Sequence, residues 1–473
     1  MKRTAKIGLM LIGSPRFKNL GGDTQNGTYH ERKIKEAELI KNNLSKAGEI
    51  IFHGVTYDRE DVKKNIDIFF NEKVDCVVVS FLSWSEDFGW IRFLRDMPPV
   101  PLLFVSFVRD SVDITDTNDE DQFIDFLSAG SLVGVLEGSG DFARFARPMS
   151  EVFLGSMDEV VGKVCSFANA AKVRSQLKDS VVALLSCYNE AMWSTYVNPY
   201  DIFMKMGPEL RFMSVAELSD EVDLVNAEKL DKKVRKLLDK YKFYPDVDME
   251  KFKASVRASI ALENLSAKYN ADLTVLNDID PVLFKKIGLR PGFLPTSVDS
   301  NLTVVPEGDI GAGFAVYILK LLSNNHVNFI EPFYIIPQRN TFAAGHAGPN
   351  DYSQCPENTI IARDTRFAKT NYKYAGAPFA WYTFPAGEKT MVHMSEKDGR
   401  MKLVCTKVEC IETKHYLASY SHAEFRHKSL SPKELFNRLL NIGVTQHFAI
   451  TDGDFCEELR IISKLLNLEY YQI

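Results

Sequence analysis

Four side chains in the last third of the sequence carry groups that can do chemistry together. They are Glu307 in Pro306-Glu307-Gly308-Asp309, Glu331 in Asn328-Phe329-Ile330-Glu331-Pro332, His346 in Ala344-Gly345-His346-Ala347 and His447 in Thr445-Gln446-His447-Phe448. Two carboxylates and two imidazoles form a hard-to-borderline donor set that suits Mn²⁺, with Co²⁺ or Mg²⁺ as alternatives. A carboxylate pair beside a Lewis acid also meets the needs of proton transfer next to a carbonyl. Each residue has a plainer reading too: a solvated glutamate at a strand end, an incidental histidine in a Gly/Ala-rich loop, a capping or core histidine. Seven of the nine histidines lie at or after residue 326, which concentrates this chemistry in the C-terminal part of the chain. Satisfied histidines in a polar β domain would give the same distribution.

The hydrophobic pattern predicts the elements that must position these groups. A buried strand spans Ala5–Ile12 and ends at Gly13-Ser14-Pro15, and a helix with Ile34, Ala37, Ile40 and Leu44 on one face follows from Tyr29 to about Ala47. Further strands are expected at Glu49–Phe52, Val74–Ser80, Pro101–Ser106 and Leu132–Leu136, with a helix at Asp61–Asn71. Strands alternating with amphipathic helices indicate a parallel sheet covered on both faces. A second round begins at Asp179–Ser186, continues through helical patterns over 216–268 and strands at 272–276 and 302–305, and places a helix at Gly311–Ser323, directly after Glu307. Glu307 and Glu331 are each expected at the end of an apolar strand, and His346 in a loop of small residues. After Val327 the pattern turns to short β runs at Thr359–Ala362, Ala380–Phe384, Thr390–Met394 and Met401–Val408, the last two separated by Asp398-Gly399, a hairpin signal. A helix at Phe455–Leu466 and a strand at Glu469–Ile473 close the chain. The fold class is therefore α/β: two doubly wound, Rossmann-like α/β domains over residues 1–172 and 173–325, then a β-rich, barrel-like domain over 326–473.

Composition narrows the function classes. A net charge of −6 argues against a nucleic-acid protein, which usually carries a basic face. Lysines cluster over Lys229–Lys242, but Glu228, Asp231 and Asp239 intersperse them, so that run reads as a solvated helix face. No apolar run approaches the ~18 residues of a membrane span, and the first strand is too short for a signal-peptide core. A soluble cytoplasmic protein is expected, with its seven scattered cysteines reduced. Gly21–Gly27 matches no phosphate-binding fingerprint, and no Gly-x-Ser-x-Gly element supports serine hydrolysis.

The four motifs, in this order, resemble those of the L-arabinose/L-fucose isomerase superfamily, the arabinose branch most closely. Pro306-Glu307-Gly308-Asp309 is similar to that branch's Gly-Glu-Gly-Asp element, Ile330-Glu331-Pro332 to its Met-Glu-Asp, Ala344-Gly345-His346 to its Gly-x-His, and Gly443-Val444-Thr445-Gln446-His447 to its C-terminal His-His element. The departures are Pro306, Pro332 and Gln446, which stand where the family has glycine, aspartate and histidine. Ile12-Gly13-Ser14, Val77–Trp84 and Asn189–Met192 extend the likeness to the first two domains.

The resemblance implies Mn²⁺ held by Glu307, Glu331, His346 and His447. It implies that the two glutamates act as the acid/base pair of an aldose–ketose isomerisation through a cis-enediol. It also implies a trimer or hexamer in which a neighbour's first domain completes each site, making Arg16, Phe17 and Trp84 substrate contacts, with Met192 from the second domain. Arg339, His422 and Arg426 add positive charge near the motifs; they read either as groups that meet an anionic substituent on the sugar or as ordinary surface charge. A pentose or hexose, with deoxy, acidic or sulfonated forms included, is the expected substrate. A sugar-binding or regulatory relative without turnover, and an epimerase or aldolase with the same enediolate chemistry, remain as alternatives.

Overall fold

A computed structural model describes residues 3–108, 114–287, 292–294, 300–348, 350–365, 378–417 and 420–473. The chain opens with β1 (Lys6–Ile12), α1 (Tyr29–Leu44), β2 (Glu49–Ile51), β3 (Val55–Thr56), α2 (Arg59–Asn71) and β4 (Cys76–Phe81). It continues through α3 (Phe88–Asp96), β5 (Leu102–Phe107), α4 (Glu120–Ala129), α5 (Leu132–Phe145), β6 (Ser150–Gly155) and α6 (Met157–Lys178). Next come β7 (Val181–Leu185), α7 (Pro199–Met206), β8 (Glu209–Met213), α8 (Val215–Asp223), α9 (Ala227–Lys240), β9 (Lys242–Phe243) and α10 (Met249–Lys268). They lead to β10 (Leu273–Leu276), α11 (Pro281–Lys286), β11 (Thr303–Val305) and α12 (Ile310–Ser323). The remainder is β12 (Val327–Ile336), β13 (Thr341–His346), β14 (Ile360–Arg363), β15 (Pro378–Trp381), β16 (Gly387–Lys397), β17 (Arg400–Ile411), β18 (Ser421–His427), α13 (Pro432–Ile442), β19 (Phe448–Asp452), α14 (Cys456–Leu465) and β20 (Glu469–Gln472).

Two compact units result, one of residues 1–175 and 464–466, the other of 176–463 and 467–473. In the first, the strands run parallel in the order β2-β1-β4-β5-β6, with β3 also on β1. β1 and β4 are almost wholly buried, as strands covered on both faces must be. Their core is aromatic: Trp90 stacks on Phe104 at 5.1 Å and on Phe142 at 5.8 Å.

The apolar run at Leu132–Leu136, expected as a strand, is the first turn and a half of α5. A short apolar run fits either period, and here two glycines decide. A Cβ at Gly134 would lie 2.8 Å from the Phe81 ring and one at Gly138 3.0 Å from it, so glycines four apart form the flat face on which the helix meets the sheet. The strand that ends the sheet is β6, which the pattern conceals because its polarity is inverted. Val152 and Leu154 are exposed, while Glu151 is buried in an ion pair with Lys163 at 2.6 Å.

The second unit holds a parallel sheet in the order β11-β10-β7-β8 and an antiparallel sheet in the order β16-β19-β12-β13-β18-β17, closed by the β16–β17 pairing, with β20 added on β17. β14 and β15 pair apart from this barrel, with β9. The expected Asp398-Gly399 hairpin is present: Lys397 pairs with Arg400 across residues at φ 51° and 72°, the type I′ signature.

α12 lies buried on nearly all sides and packs on β10 and β11 of the parallel sheet and on β12, β16 and β19 of the barrel. A Cβ at Gly311 would fall 2.5 Å from the Met394 carbonyl oxygen, and one at Gly313 3.1 Å from Val275. The two glycines thus let α12 approach both sheets closely. Among the described residues no helix is long and apolar enough to cross a membrane. All seven cysteines are free.

Gly345 in β13 is tightly enclosed by its neighbouring strand. A Cβ there would sit 2.0 Å from the Ser421 carbonyl oxygen and 2.7 Å from the His422 Cα, backbone atoms that cannot yield without moving β18. Gly345→Ala is expected to cost about 3 kcal/mol of stability, as overpacking against rigid neighbours does, read as a lower urea midpoint at unchanged slope.

Candidate metal centre

The strand order of the second unit's parallel sheet reverses between β7 and β10, and ligands bind beyond the carboxyl ends of strands at such a point. β7 delivers Asn189 there, β10 delivers Asn277 and Asp278, and β11 delivers Glu307. Glu307 stands at φ 66° and Gly308 at φ 72°. The left-handed region costs a glutamate about 1–3 kcal/mol. Three hydrogen bonds hold it there. The Glu307 N–H donates to Asp278 Oδ1 at 2.9 Å, its carbonyl accepts from Asn189 Nδ2 at 3.0 Å, and the Gly308 N–H donates to the Leu276 carbonyl at 3.2 Å. None uses the Glu307 carboxylate, so the clamp aims that group without consuming it.

Two imidazoles meet the carboxylate. His346 is the last residue of β13, buried in the sheet; it is not in the loop its Gly/Ala neighbours suggested, because those small residues pack the strand tightly between β12 and β18. Its Nε2 lies 3.3 Å from Glu307 Oε1, and its Nδ1 is buried with no hydrogen-bond partner among the described residues. His447, fully buried ahead of β19, places Nε2 3.1 Å from Glu307 Oε2 and Nδ1 2.9 Å from Asp309 Oδ2. The Phe329 ring lies 4.8 Å from the His346 ring and 4.6 Å from the His447 ring and closes one side. His393 braces the loop beneath: its Nδ1–H donates to the His447 carbonyl at 2.8 Å, and its Nε2 accepts from the Thr445 N–H at 3.3 Å. Burial pushes the His393 imidazole down to about 4, so it stays neutral in that role.

Asp309 serves two elements. Its Oδ1 accepts from the Ala312 N–H at 2.9 Å and caps α12, while its Oδ2 orients His447. Burial alone would raise the Glu307 carboxyl, but hydrogen bonds from His346 and His447 outweigh it and hold the group well below the usual carboxylate range. Burial would likewise lower His447, but its bonds to Asp309 and Glu307 raise it to about 9. A half-buried and a buried carboxylate, Glu307 and Asp309, therefore demand positive charge between them.

A divalent cation answers that demand as a proton does. Among the described residues, Glu307, His346 and His447 form the group whose ligand atoms lie within 4.8 Å of one another. One carboxylate and two imidazoles, one of them backed by a carboxylate, fit a borderline divalent ion.

Two expectations follow. In protein stripped of divalent cations, the raised His447 contributes stability that is fully present below about 6.5 and lost as pH rises through about 9, on the order of 3 kcal/mol. In Mn²⁺-loaded protein that loss disappears, because a ligand imidazole must already be deprotonated. Urea unfolding with and without metal across that range reads the difference. Asp309→Asn keeps the helix cap, but its amide turns an N–H toward His447 Nδ1 and so puts the proton on Nε2, the atom a cation needs. A 10–100-fold loss of Mn²⁺ affinity by isothermal titration, of the order typical of such outer partners, is expected.

The other sequence-derived candidates divide. Glu331 lies inside β12, not at its end; it pairs with Gly345, one step from His346, just before the bulge at Pro332–Tyr334. It is half-buried and outside the close group. Met192 comes to the site, its sulfur accepting from Gln446 Nε2 beside His447 at 2.7 Å. Arg16, Phe17 and Trp84 gather at the strand-order reversal of the first unit, between β1 and β4. There the Arg16 guanidinium lies 5.7 Å from the Trp84 ring, its Nε sits 2.7 Å from Glu86, and the Phe17 and Trp84 rings are 5.9 Å apart.

Three further candidates are engaged by other groups. Arg339 sits in the β12–β13 turn, with Nε donating to Glu424 at 2.8 Å. Arg426 is five residues along β18 from Ser421, the partner of His346, a run of about 17 Å, and it lines a separate cavity of about 690 Å³ with Glu409. His422 stands opposite Gly345 on β18, one step from Ser421, the partner of His346; it is buried, donating from Nδ1 to the Tyr420 carbonyl at 2.8 Å and accepting at Nε2 from the Tyr416 N–H at 3.3 Å, and burial lowers its pKa and favours the neutral ring.

Asp309, Asp278, Asn277 and His393 were not among the expected site residues. Asp309 carried a signal, an N-cap aspartate before an apolar helix. His393 carried none.

No protein-family profile matches the chain. Over 446 residues it is 20% identical to proteins named sulfoquinovose isomerase from Priestia aryabhattai and from Priestia megaterium (strain ATCC 12872 / QMB1551), the alignment covering 92% of this chain and 93% of each relative.

Proposed function

We propose that this protein is a metal-dependent aldose–ketose isomerase. The observation that carries the reading is the Glu307–His346–His447 group, its two histidines buried, at the strand-order reversal. The alignment with sugar isomerases along nearly the whole chain adds to it.

When bound, the divalent ion supplies a Lewis acid beside the sugar carbonyl. The chain's own groups do the rest. Asp309 keeps the His447 proton on Nδ1, leaving Nε2 free as a donor. The Asp278–Asn189 clamp holds the Glu307 carboxylate in place, and Phe329 keeps water from one side of it. One of Glu307 and Glu331 takes the proton from C2, forming a cis-enediol, and a proton is returned at C1 while the hydroxyl proton passes from O2 to O1. The reverse direction exchanges the two roles.

The substrate we favour is an aldohexose with an anionic substituent, sulfoquinovose first, because that is what the named relatives act on. Arg16 against Trp84 is the cation we assign to the anionic group, supplied by a neighbouring copy in a homo-oligomer, a trimer or hexamer. The open β6 edge, with Val152 and Leu154 exposed, and the apolar Phe123, Phe126, Leu132, Val133 and Leu136 of α4 and α5 favour self-association over a monomer.

Product analysis of chelator-treated protein with and without added Mn²⁺, on sulfoquinovose and a panel of neutral and acidic aldoses, tests the reaction class. A ketose formed with metal supports the reading. An aldose epimer, two fragments, or no product despite metal binding would replace it with an epimerase, an aldolase or a binding protein.

A further inference from the structure

The lysine run of α9, which the alternating charges present as a solvated helix face, lines a cavity. Lys229, Lys232, Lys233, Lys236 and Lys240 border a space of about 300 Å³ whose other walls include Leu237, Tyr241, Glu263, Tyr352 and Ser353. These lysines fall at helical spacings of three and four, so they share one side of α9, while Leu230 and Val234 turn into the core. Asp231 and Asp239, which break the run in sequence, do not line the cavity.

The charge there is unbalanced. Glu263 is the one carboxylate among the lining residues named, and it is held by Lys233. Lys229 donates to the neutral Asn264 side chain at 2.9 Å. Five ammonium groups against one carboxylate leave an excess of four positive charges on one wall, in a chain whose net charge is −6. Like charges at these spacings oppose helix stability, so composition alone gives no reason to gather them. The floor is of a different kind: Tyr241 and Tyr352 are buried and meet edge to face at 5.7 Å.

We infer that this pocket binds a small oligophosphate, a pyrophosphate group either free or carried by a nucleoside, at a site separate from the metal centre. Lysines present compact, rotatable donors that suit phosphoryl oxygens. A volume of about 300 Å³ holds roughly ten waters' worth of space, more than one phosphate fills.

Isothermal titration of the full chain with inorganic pyrophosphate, and separately with ADP, tests this. The expected result is saturable binding that weakens as salt rises and falls at least about tenfold, a loss of 1.4 kcal/mol, in the Lys232→Ala/Lys236→Ala/Lys240→Ala variant. These lysines are exposed, so the variant should keep the parent's melting temperature; Lys236→Glu alone provides a second reading if it does not. Tighter binding of ADP than of pyrophosphate assigns the pocket to a nucleotide, and equal binding to a free oligophosphate. No saturable binding of either probe, or binding that both variants leave unchanged, overturns the inference.

Discussion

Glu307→Gln is expected to lower isomerase turnover by at least about 10⁴-fold, the upper range for a single general acid/base, and to weaken Mn²⁺ binding in the same variant. Glutamine is isosteric, and the backbone clamp to Asp278, Asn189 and Leu276 does not involve the carboxylate, so the fold and the left-handed turn should survive. What disappears is the charge that lies 3.3 Å from His346 Nε2 and 3.1 Å from His447 Nε2. With it goes part of the cause of the raised His447, which should titrate lower in the variant. Steady-state kinetics with metal titration checks both losses. Turnover within about tenfold of the parent would remove Glu307 from the chemistry.

Glu331→Gln separates the second carboxylate from the first. Glu331 is half-buried on β12 across from Gly345, and its carboxylate is not in the close donor group. Its contribution to holding the cation should therefore be smaller than that of Glu307, while its contribution as the partner in proton transfer should be large. The expected pattern is a fall in kcat of about 10²–10⁴-fold with a smaller loss of Mn²⁺ affinity than in Glu307→Gln. Near-normal turnover at saturating metal would leave Glu307 as the only carboxylate of the reaction. A metal affinity as poor as that of Glu307→Gln would make Glu331 chiefly a ligand.

How far the site could be read in advance follows from what each residue depends on. The alternation of apolar strands with amphipathic helices is a local property, and it placed β1, β4, β5, β7, β10, β11 and α12 close to where they lie. Glu307 was legible because the motif, a strand end and the start of a helix coincide within a few residues, although the roles of Asp309 were not. The run at Leu132–Leu136 was misread because a short apolar stretch fits either period, and the deciding contact is Gly134 and Gly138 against Phe81, far away in sequence. β6 escaped because its buried residue is a glutamate whose partner, Lys163, comes from the following helix. His346 looked like a loop residue because Ala343, Ala344 and Gly345 are weak strand formers alone. They are a strand because β12 and β18 flank them on both sides.

Arg339, His422 and Arg426 show the limit of reading charge from sequence. Proximity along the chain suggested a common positive field. Glu424 engages Arg339 and about 17 Å of strand separates Arg426 from Ser421, while His422 stays opposite Gly345 with both ring nitrogens bonded to backbone. The orienting role of Asp309 toward His447, 138 positions apart, is of the same non-local kind.

The most direct test of the central claim is NMR of Mn²⁺-loaded protein with sulfoquinovose in D₂O. Ketose signals are expected to grow in with metal, to vanish with chelator, and to be lost in Glu307→Gln, with any solvent deuterium entering the ketose at C1. A protein that binds Mn²⁺ through the Glu307 group, yet leaves sulfoquinovose and every other aldose of the panel unchanged and unlabelled, would contradict it.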